Sequence, residues 1–399
     1  MTREWLLVIA LLVATNLFAQ SNFAKSNAAK SNATILYRFQ NAADGALPAA
    51  PLVADASGNL YGTTGGANGP DYGSVFRFTP PTGGQCRDSQ CGEATLYSFH
   101  GHLDGAGPVA ALILDDEGNL HGTTSGGGAN GVGTVFKLSP PPMGASGEWT
   151  EQILHNFSGG EISGSEDGAD PVAPLVRDVA GNLYGVTSFG GAQGNGVIFE
   201  LSLSTETGDW PDAWSEKILY TFGNAYGDCV EPENIVLADG ALYGPCYGGG
   251  SEDNGLLFSL TRSGNSWTYK TIYEFAGGRT GWRPLQIAPG VDGNLYGTTF
   301  EGGIGNGGIV FELLRPVRDG AWTERIIYDF PAYFGDHPLV SGVGVSFGPD
   351  GVLYGSEPHG GNGFGSLYQL TPPSNPAERW AKIPLYAFPG GFGGDFPEG

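Results

Sequence analysis

Residues 55–64 read DASGNLYGTT, and the phrase returns as DDEGNLHGTT at 115–124, DVAGNLYGVT at 178–187, LADGALYGPC at 237–246, GVDGNLYGTT at 290–299 and GPDGVLYGSE at 348–357. Successive copies start 53 to 63 residues apart. A period of that length marks an array of one supersecondary unit. The phrase itself spells an antiparallel hairpin. Leu52 and Val53 suit a strand, Asp55, Ser57 and Gly58 supply the turn, and Asn59 to Thr64 return with alternating polar and apolar character.

Every repeat has the same grammar. An LYxF-like strand is followed by a Gly-rich loop, a Pro, an inner strand, the hairpin phrase, a second Gly-rich loop, a VF-type strand, a polar loop and the next LYxF. Four strands per repeat follow. The VF strands begin with Ser74–Phe78 and end with Leu367-Tyr368, and the LYxF strands run from Leu96–Phe99 to Leu385–Phe388. Trp149, Trp214, Trp267, Trp322 and Trp380 each stand four or five residues ahead of a fourth strand. Large rings at a fixed place in a repeat are expected to plug the seam between neighbouring units. A sugar-stacking role would instead need them exposed on one surface.

Four-stranded units repeated radially predict an all-β propeller, because each unit hides its faces against two neighbours and closure leaves only short edges. A linear solenoid is the competing architecture, with shorter repeats and one continuous sheet. Six hairpin phrases accompany seven LYxF strands, the first being Ile35–Phe39. Either that strand or Leu385–Phe388 is expected to finish the sixth blade. The tail GGFGGDFPEG reads like the loop that opens a further repeat, so the expectation is six complete blades, or a seven-bladed ring cut short.

Composition bounds the setting. Of 399 residues, 69 are Gly, only 15% are charged, and the formal net charge is −23, which disfavours phosphate backbones and anionic headgroups and removes nucleic acid from the expected partners. Residues 1–19 read as a secretory signal with a basic Arg3, an apolar Trp5–Val13 run and a small residue, Ala19, before the cut. The run is too short for a membrane span, and no stable insertion is expected once it is removed. Residues 20–33 form a polar linker, and 34–399 the repeat array. A secreted or cell-surface monomer is the expectation. Four Cys agree with export: Cys229 with Cys246 is placed for a cross-strand disulfide and Cys86 with Cys91 for a local staple, the alternative of a zinc site lacking any Cys-x-x-Cys spacing.

GNLYGTT followed by a Gly-Gly loop and GxVFxL resembles the Gloeo/Verruco, or GloVer, tandem repeat of secreted bacterial proteins across residues 34–399. The resemblance implies an exported protein and brings no established activity with it.

Loops entering the inner strand and loops after the second strand should share one face. The entering loops carry Asp44, Asp104, Asp167, Asp228 and Asp336 shortly before a Pro, and the fifth repeat has Thr280 in that place. One reading is a ring of carboxylates around a channel mouth, drawing in a cation or a hydroxyl-rich ligand. The favoured reading is a turn, with each Asp accepting backbone N–H groups. Thr63, Thr64 and their counterparts read as strand residues. The sixth repeat departs furthest from consensus: Asp336, His337, Glu357 and His359 form a candidate divalent-metal set, or an acid–base pair. His100 and His102 share the face but sit two blades away, while His121 and His155 read as packed residues. No nucleophile elbow, phosphate-cradling loop or zinc-protease motif is present. No cofactor is expected beyond that cation. Three functions fit: a module binding a glycan, an envelope polymer or a protein; a metal-dependent hydrolase or lyase at the channel mouth; and a structural surface array. The balance leans away from catalysis.

Overall fold

The computed structural model describes residues 37, 39, 47, 48, 50–66, 72–80, 92–142, 147–159, 167–204, 213–223, 227–318, 320–331, 344–348, 351–358, 365–373 and 379–388. Residues 1–36, holding the expected leader and linker, lie outside that set. Six antiparallel blades form a ring, a β-propeller, each ordered first to fourth strand as it runs in sequence. Blade one is Val53–Ala54, Leu60–Thr64, Ser74–Phe78 and Glu93–Ser98. Helical structure among the described residues is a single 3-10 turn, Gly278–Thr280.

The recurring phrase makes the first hairpin, and its Asp is the clasp. Asp55 accepts hydrogen bonds from the backbone N–H of Ser57 (2.8 Å) and Asn59 (2.9 Å), the Asn59 amide (2.7 Å) and the Tyr61 hydroxyl (3.1 Å). Asp115 and Asp178 repeat the pattern, with His121 Nε2 standing where the Tyr hydroxyl would be. Gly62 has no Cβ because a ring lies across it: a methyl there would sit 2.7 Å from Phe76 Cζ and 2.4 Å from Leu52 Cδ2.

Blades are joined by aromatic rings. The Phe ending each fourth strand packs edge-on against the third-strand ring of the next blade: Phe99 on Phe136, Phe157 on Phe199, Phe222 on Phe258, Phe275 on Phe311 and Phe330 on Tyr368. The five Trp fill the same seams lower down, against Tyr61, His121, Tyr184, Tyr243 and Tyr296 of the preceding blade. They are plugs, as their fixed spacing predicted. Of the two strands expected to finish blade six, Ala381–Ala387 does so. Phe39 packs 5.1 Å from Phe76, holding against blade one the place that a fourth-strand Phe holds elsewhere.

Candidate functional site on the loop-bearing face

The two sets of loops do share a face, and they are bonded to each other. Ala106 and Gly126 exchange backbone hydrogen bonds in blade two, Gly168–Ala169 pairs with Phe189–Gly190 in blade three, and Cys229–Pro232 pairs with Cys246–Gly249 in blade four. On this face Asp104 accepts the His100 N–H (2.9 Å) and the Tyr97 hydroxyl (3.1 Å). Asp167 accepts N–H bonds from Ser158 (2.8 Å) and Gly168 (2.7 Å), and Asp228 from Gly223 (2.6 Å) and Cys229 (2.8 Å). Each carboxylate ties its entering loop to the strand it has just left, which is turn chemistry. Burial would raise the pKa of Asp167, but bonds from His155, Ser158 and Gly168 outweigh it and hold the carboxyl below its usual range. Asp44 and Asp336 lie outside the described residues.

A different position in the same loops carries the variation. The residue before the Pro is left-handed in every described blade where the loop is seen: Leu47 (φ 57), Gly107 (φ 65), Asp170 (φ 56), Glu231 (φ 52) and Arg283 (φ 57). Only Gly takes that conformation without cost; the others spend roughly 1–2 kcal/mol each. One residue earlier stand Ala106, Ala169 and Val230, and then Trp282. Next after the last residue of the hairpin phrase stand Gly65, Ser125 and Ser188, and then Tyr247 and Phe300, which extend the second strands of blades four and five. Blades four and five therefore replace small residues with rings where their loops meet.

Two of those rings face one cation. The Arg283 guanidinium lies 5.1 Å from the Tyr247 ring centre and 5.0 Å from that of Trp282, and Arg283 Nη1 is 3.4 Å from Glu301 Oε1. Tyr247 and Phe300 approach to 6.2 Å. All five side chains are half-buried, so their edges meet solvent. Neighbouring loops add acids: Glu231 stands at the equivalent position of blade four, and burial together with Glu231 pushes the Glu233 carboxyl up to about 7. Sequence reading missed this patch because it compared the acid of each entering loop and not the pair of residues before the Pro.

The metal set expected in the sixth repeat is described at one residue. Glu357 is buried, accepts a hydrogen bond from Ser366 Oγ (2.5 Å) and pairs with Lys382, whose ammonium sits 4.9–5.2 Å from the rings of Tyr328, Phe330 and Tyr368. Asp336, His337 and His359 lie outside the described residues. His100 is exposed and bonded to Asp104, and His121 is buried against Trp214. His155 is only partly packed: its Nε2 faces both Asp167 and Glu216.

Cys229 and Cys246 form a disulfide with Cα atoms 5.3 Å apart, both fully buried. Cys86 and Cys91 lie outside the described residues. A cleft of about 790 Å³ lies between blades one and two, lined by Tyr97, His100 and Trp149 among others. Leu96, Tyr97 and Trp149 of its walls also pack in the seam between the two blades. No helix among the described residues is long and apolar enough to cross a membrane.

The Gloeobacter/Verrucomicrobia repeat matches residues 25–228 and again 210–399. No curated protein matches the sequence. Among solved structures, the chain is similar to a Bacteroides uniformis protein named as a 6-phosphogluconolactonase, at 14% identity over 88% of this chain and 93% of that one, with a TM-score of 0.52. It is also similar to a streptogramin B lyase (16% identity, 86% and 85% covered, TM-score 0.49) and to a Penicillium chrysogenum α-L-arabinanase complexed with arabinobiose (14%, 82% and 93%, TM-score 0.45). At 14% identity the likeness to the Bacteroides uniformis protein carries the fold alone.

Proposed function

The chain belongs to the Gloeobacter/Verrucomicrobia repeat family, and on that premise we propose that it is an exported binding module whose loop-bearing face holds a hydroxyl-rich polymer, a carbohydrate chain, at Tyr247, Trp282, Arg283, Phe300 and Glu301. The observation that carries this is the departure from the repeat: folding explains Ala, Gly and Ser at these loop positions, and it does not call for two aromatic rings closing on a left-handed Arg. Aromatic faces suit the C–H faces of sugar rings, while the guanidinium and carboxylate offer donors and acceptors to hydroxyls. Arg283 is already paired with Glu301, and the chain carries −23, so a neutral polymer fits better than a polyanion. The buried disulfide supports an oxidising compartment.

Screening the full chain against neutral and acidic bacterial and plant glycans tests the reading. Trp282→Ala should weaken the best ligand about tenfold or more. Arg283→Gly should weaken it too while leaving the unfolding midpoint unchanged or higher, because Gly accepts the left-handed backbone. A flat response across the array, or full affinity in Trp282→Ala, removes the proposal. A second reading, a hydrolase or lyase at the channel mouth, has Glu233 in its favour, a carboxyl raised to about 7 and so fit for acid–base work. Release of shortened chains by the wild type and not by Glu233→Gln would favour it.

A further inference from the structure

At the seam between blades two and three the repeat changes one residue, and with it the chemistry. The tyrosine of the LYxF strand stands at 97, 220, 273 and 328; in the second blade the residue is His155. Tyr97 meets the next entering loop as a hydroxyl donor to Asp104, and Tyr220 does the same to Asp228. His155 meets the equivalent Asp167 and, from the fourth strand of blade three, Glu216. The blade-four counterpart of Glu216 is Tyr269, and the blade-five loop offers Thr280 in place of the acid. Among the described residues this seam alone brings a His and two carboxylates together, with their ligand atoms all within 4.8 Å of one another.

Two of the three separations are those of ligands sharing an ion, and the third, between the two carboxylates, is within 4.8 Å. His155 Nε2 lies 3.3 Å from Asp167 Oδ2 and 3.5 Å from Glu216 Oε2. Ligand atoms roughly 2.0–2.1 Å from a tetrahedral zinc stand about 3.3 Å apart. At 3.3 Å the His155–Asp167 hydrogen bond is longer than those of the other two His–Asp pairs among the described residues, His100–Asp104 and His121–Asp115, both 2.9 Å, and longer than a charge-assisted hydrogen bond of about 2.7–2.9 Å. Second contacts hold the ligands in place. Asp167 is pinned by N–H groups of Ser158 and Gly168 and by the Ser158 hydroxyl (3.1 Å), and His155 stacks edge-on to Phe157 at 4.8 Å. Glu216 Oε1 is buried with no hydrogen-bond partner. The three side chains are 19%, 10% and 14% exposed, close enough to the surface for an ion to enter and for water to complete its shell.

We propose that His155, Asp167 and Glu216 bind a first-row divalent metal of the zinc type and that the ion staples the second blade to the third. One nitrogen and two carboxylate oxygens suit Zn²⁺ or Mn²⁺ over Ca²⁺, which favours an all-oxygen shell of six or more. The ion occupies a seam and not the loop patch assigned to polymer binding, so the two proposals stand or fall separately.

Metal-stripped full chain, equilibrated with Zn²⁺, Mn²⁺ or Ca²⁺, should retain one equivalent of Zn²⁺ or Mn²⁺ by elemental analysis after dialysis, with a rise in unfolding midpoint that Ca²⁺ does not give. His155→Tyr restores the residue of the other blades and should fold normally while losing the equivalent and the shift. Glu216→Gln, isosteric, should weaken binding by about tenfold or more in titration calorimetry. Failure of wild type to take up either ion overturns the proposal. So does uptake unchanged in His155→Tyr, or uptake lost in His359→Ala and kept in His155→Tyr, which would place the ion in the sixth repeat.

Discussion

Cys229 and Cys246 show how one repeat position is reused. In blades two, three and five a Gly fills the place of Cys229 and a Thr that of Cys246, and a Cβ added to Gly105, Gly168 or Gly281 would lie 2.3–2.5 Å from the Thr hydroxyl. Blade four puts a covalent bond across the same gap. The double variant Cys229→Gly/Cys246→Thr should therefore fold, losing about 2–4 kcal/mol by chemical denaturation from the missing cross-link, whereas Cys246→Thr alone leaves a side chain at 229 crowding the new Thr and should cost more. Two glycines of the hairpin phrase give a second comparison. Gly122→Ala drives a methyl to 2.7 Å from Phe136 Cζ and 2.8 Å from Leu112 Cδ2, and should cost about 1–3 kcal/mol by overpacking. Gly118, with φ +84 and nothing within 4 Å, should lose only about 1–2 kcal/mol, through backbone strain. Equal losses at the two sites would mean that the ring over Gly122 yields.

The fourth strand is the element that turns six sheets into one body. In every blade the pairing of third and fourth strands slips by one residue at the same place, between Val75 and Phe76 in blade one and between Leu367 and Tyr368 in blade six. The slip re-aims the strand end that presents Tyr and Phe to the next blade. Hairpins and Trp plugs could be read in the sequence because each depends on residues a few positions apart. Leu96, Leu154 and their equivalents look like ordinary strand residues, so the bulge could not be seen. His155 was hidden for a related reason: it reads as a packed strand residue until the neighbouring blade brings Asp167 and Glu216 to it. Trp267 tests the plugs. It packs 5.9 Å from Tyr184, and its indole nitrogen is buried with no hydrogen-bond partner. Trp267→Ala should cost about 3 kcal/mol, the low end for a large ring because the site is half-buried. Trp267→Phe keeps most of the contact and loses no hydrogen bond, so its cost should be under about 1.5 kcal/mol. A Phe variant as unstable as the Ala variant would show that the nitrogen matters after all.

Opposed sets of carboxyls decide how stability of the whole ring depends on pH. Burial works to raise Asp55, Asp115 and Asp178, but their turn hydrogen bonds win and hold them below the ordinary value. Their contribution is present above the unfolded pKa, near 4, and is lost as pH falls through the lower folded value. Glu151, Glu233 and Glu324 go the other way, each pushed up to about 7 by burial, with Asp104 adding to Glu151 and Glu231 to Glu233. For these the folded state prefers the proton, so stability falls as pH rises from the unfolded pKa, near 4.5, to about 7. Self-repulsion of a chain carrying −23 adds to the loss on the same side. The unfolding midpoint, followed over roughly pH 3 to 9, should therefore peak near about pH 5 and decline toward neutrality. Glu151→Gln and Glu324→Gln should flatten the neutral limb and leave the acid limb in place. Salt at about 0.5 M should relieve the part due to general repulsion and spare the buried part. A midpoint that climbs steadily to pH 8, or a neutral limb that salt abolishes entirely, would mean that the seam carboxylates ionise without penalty and are open to water.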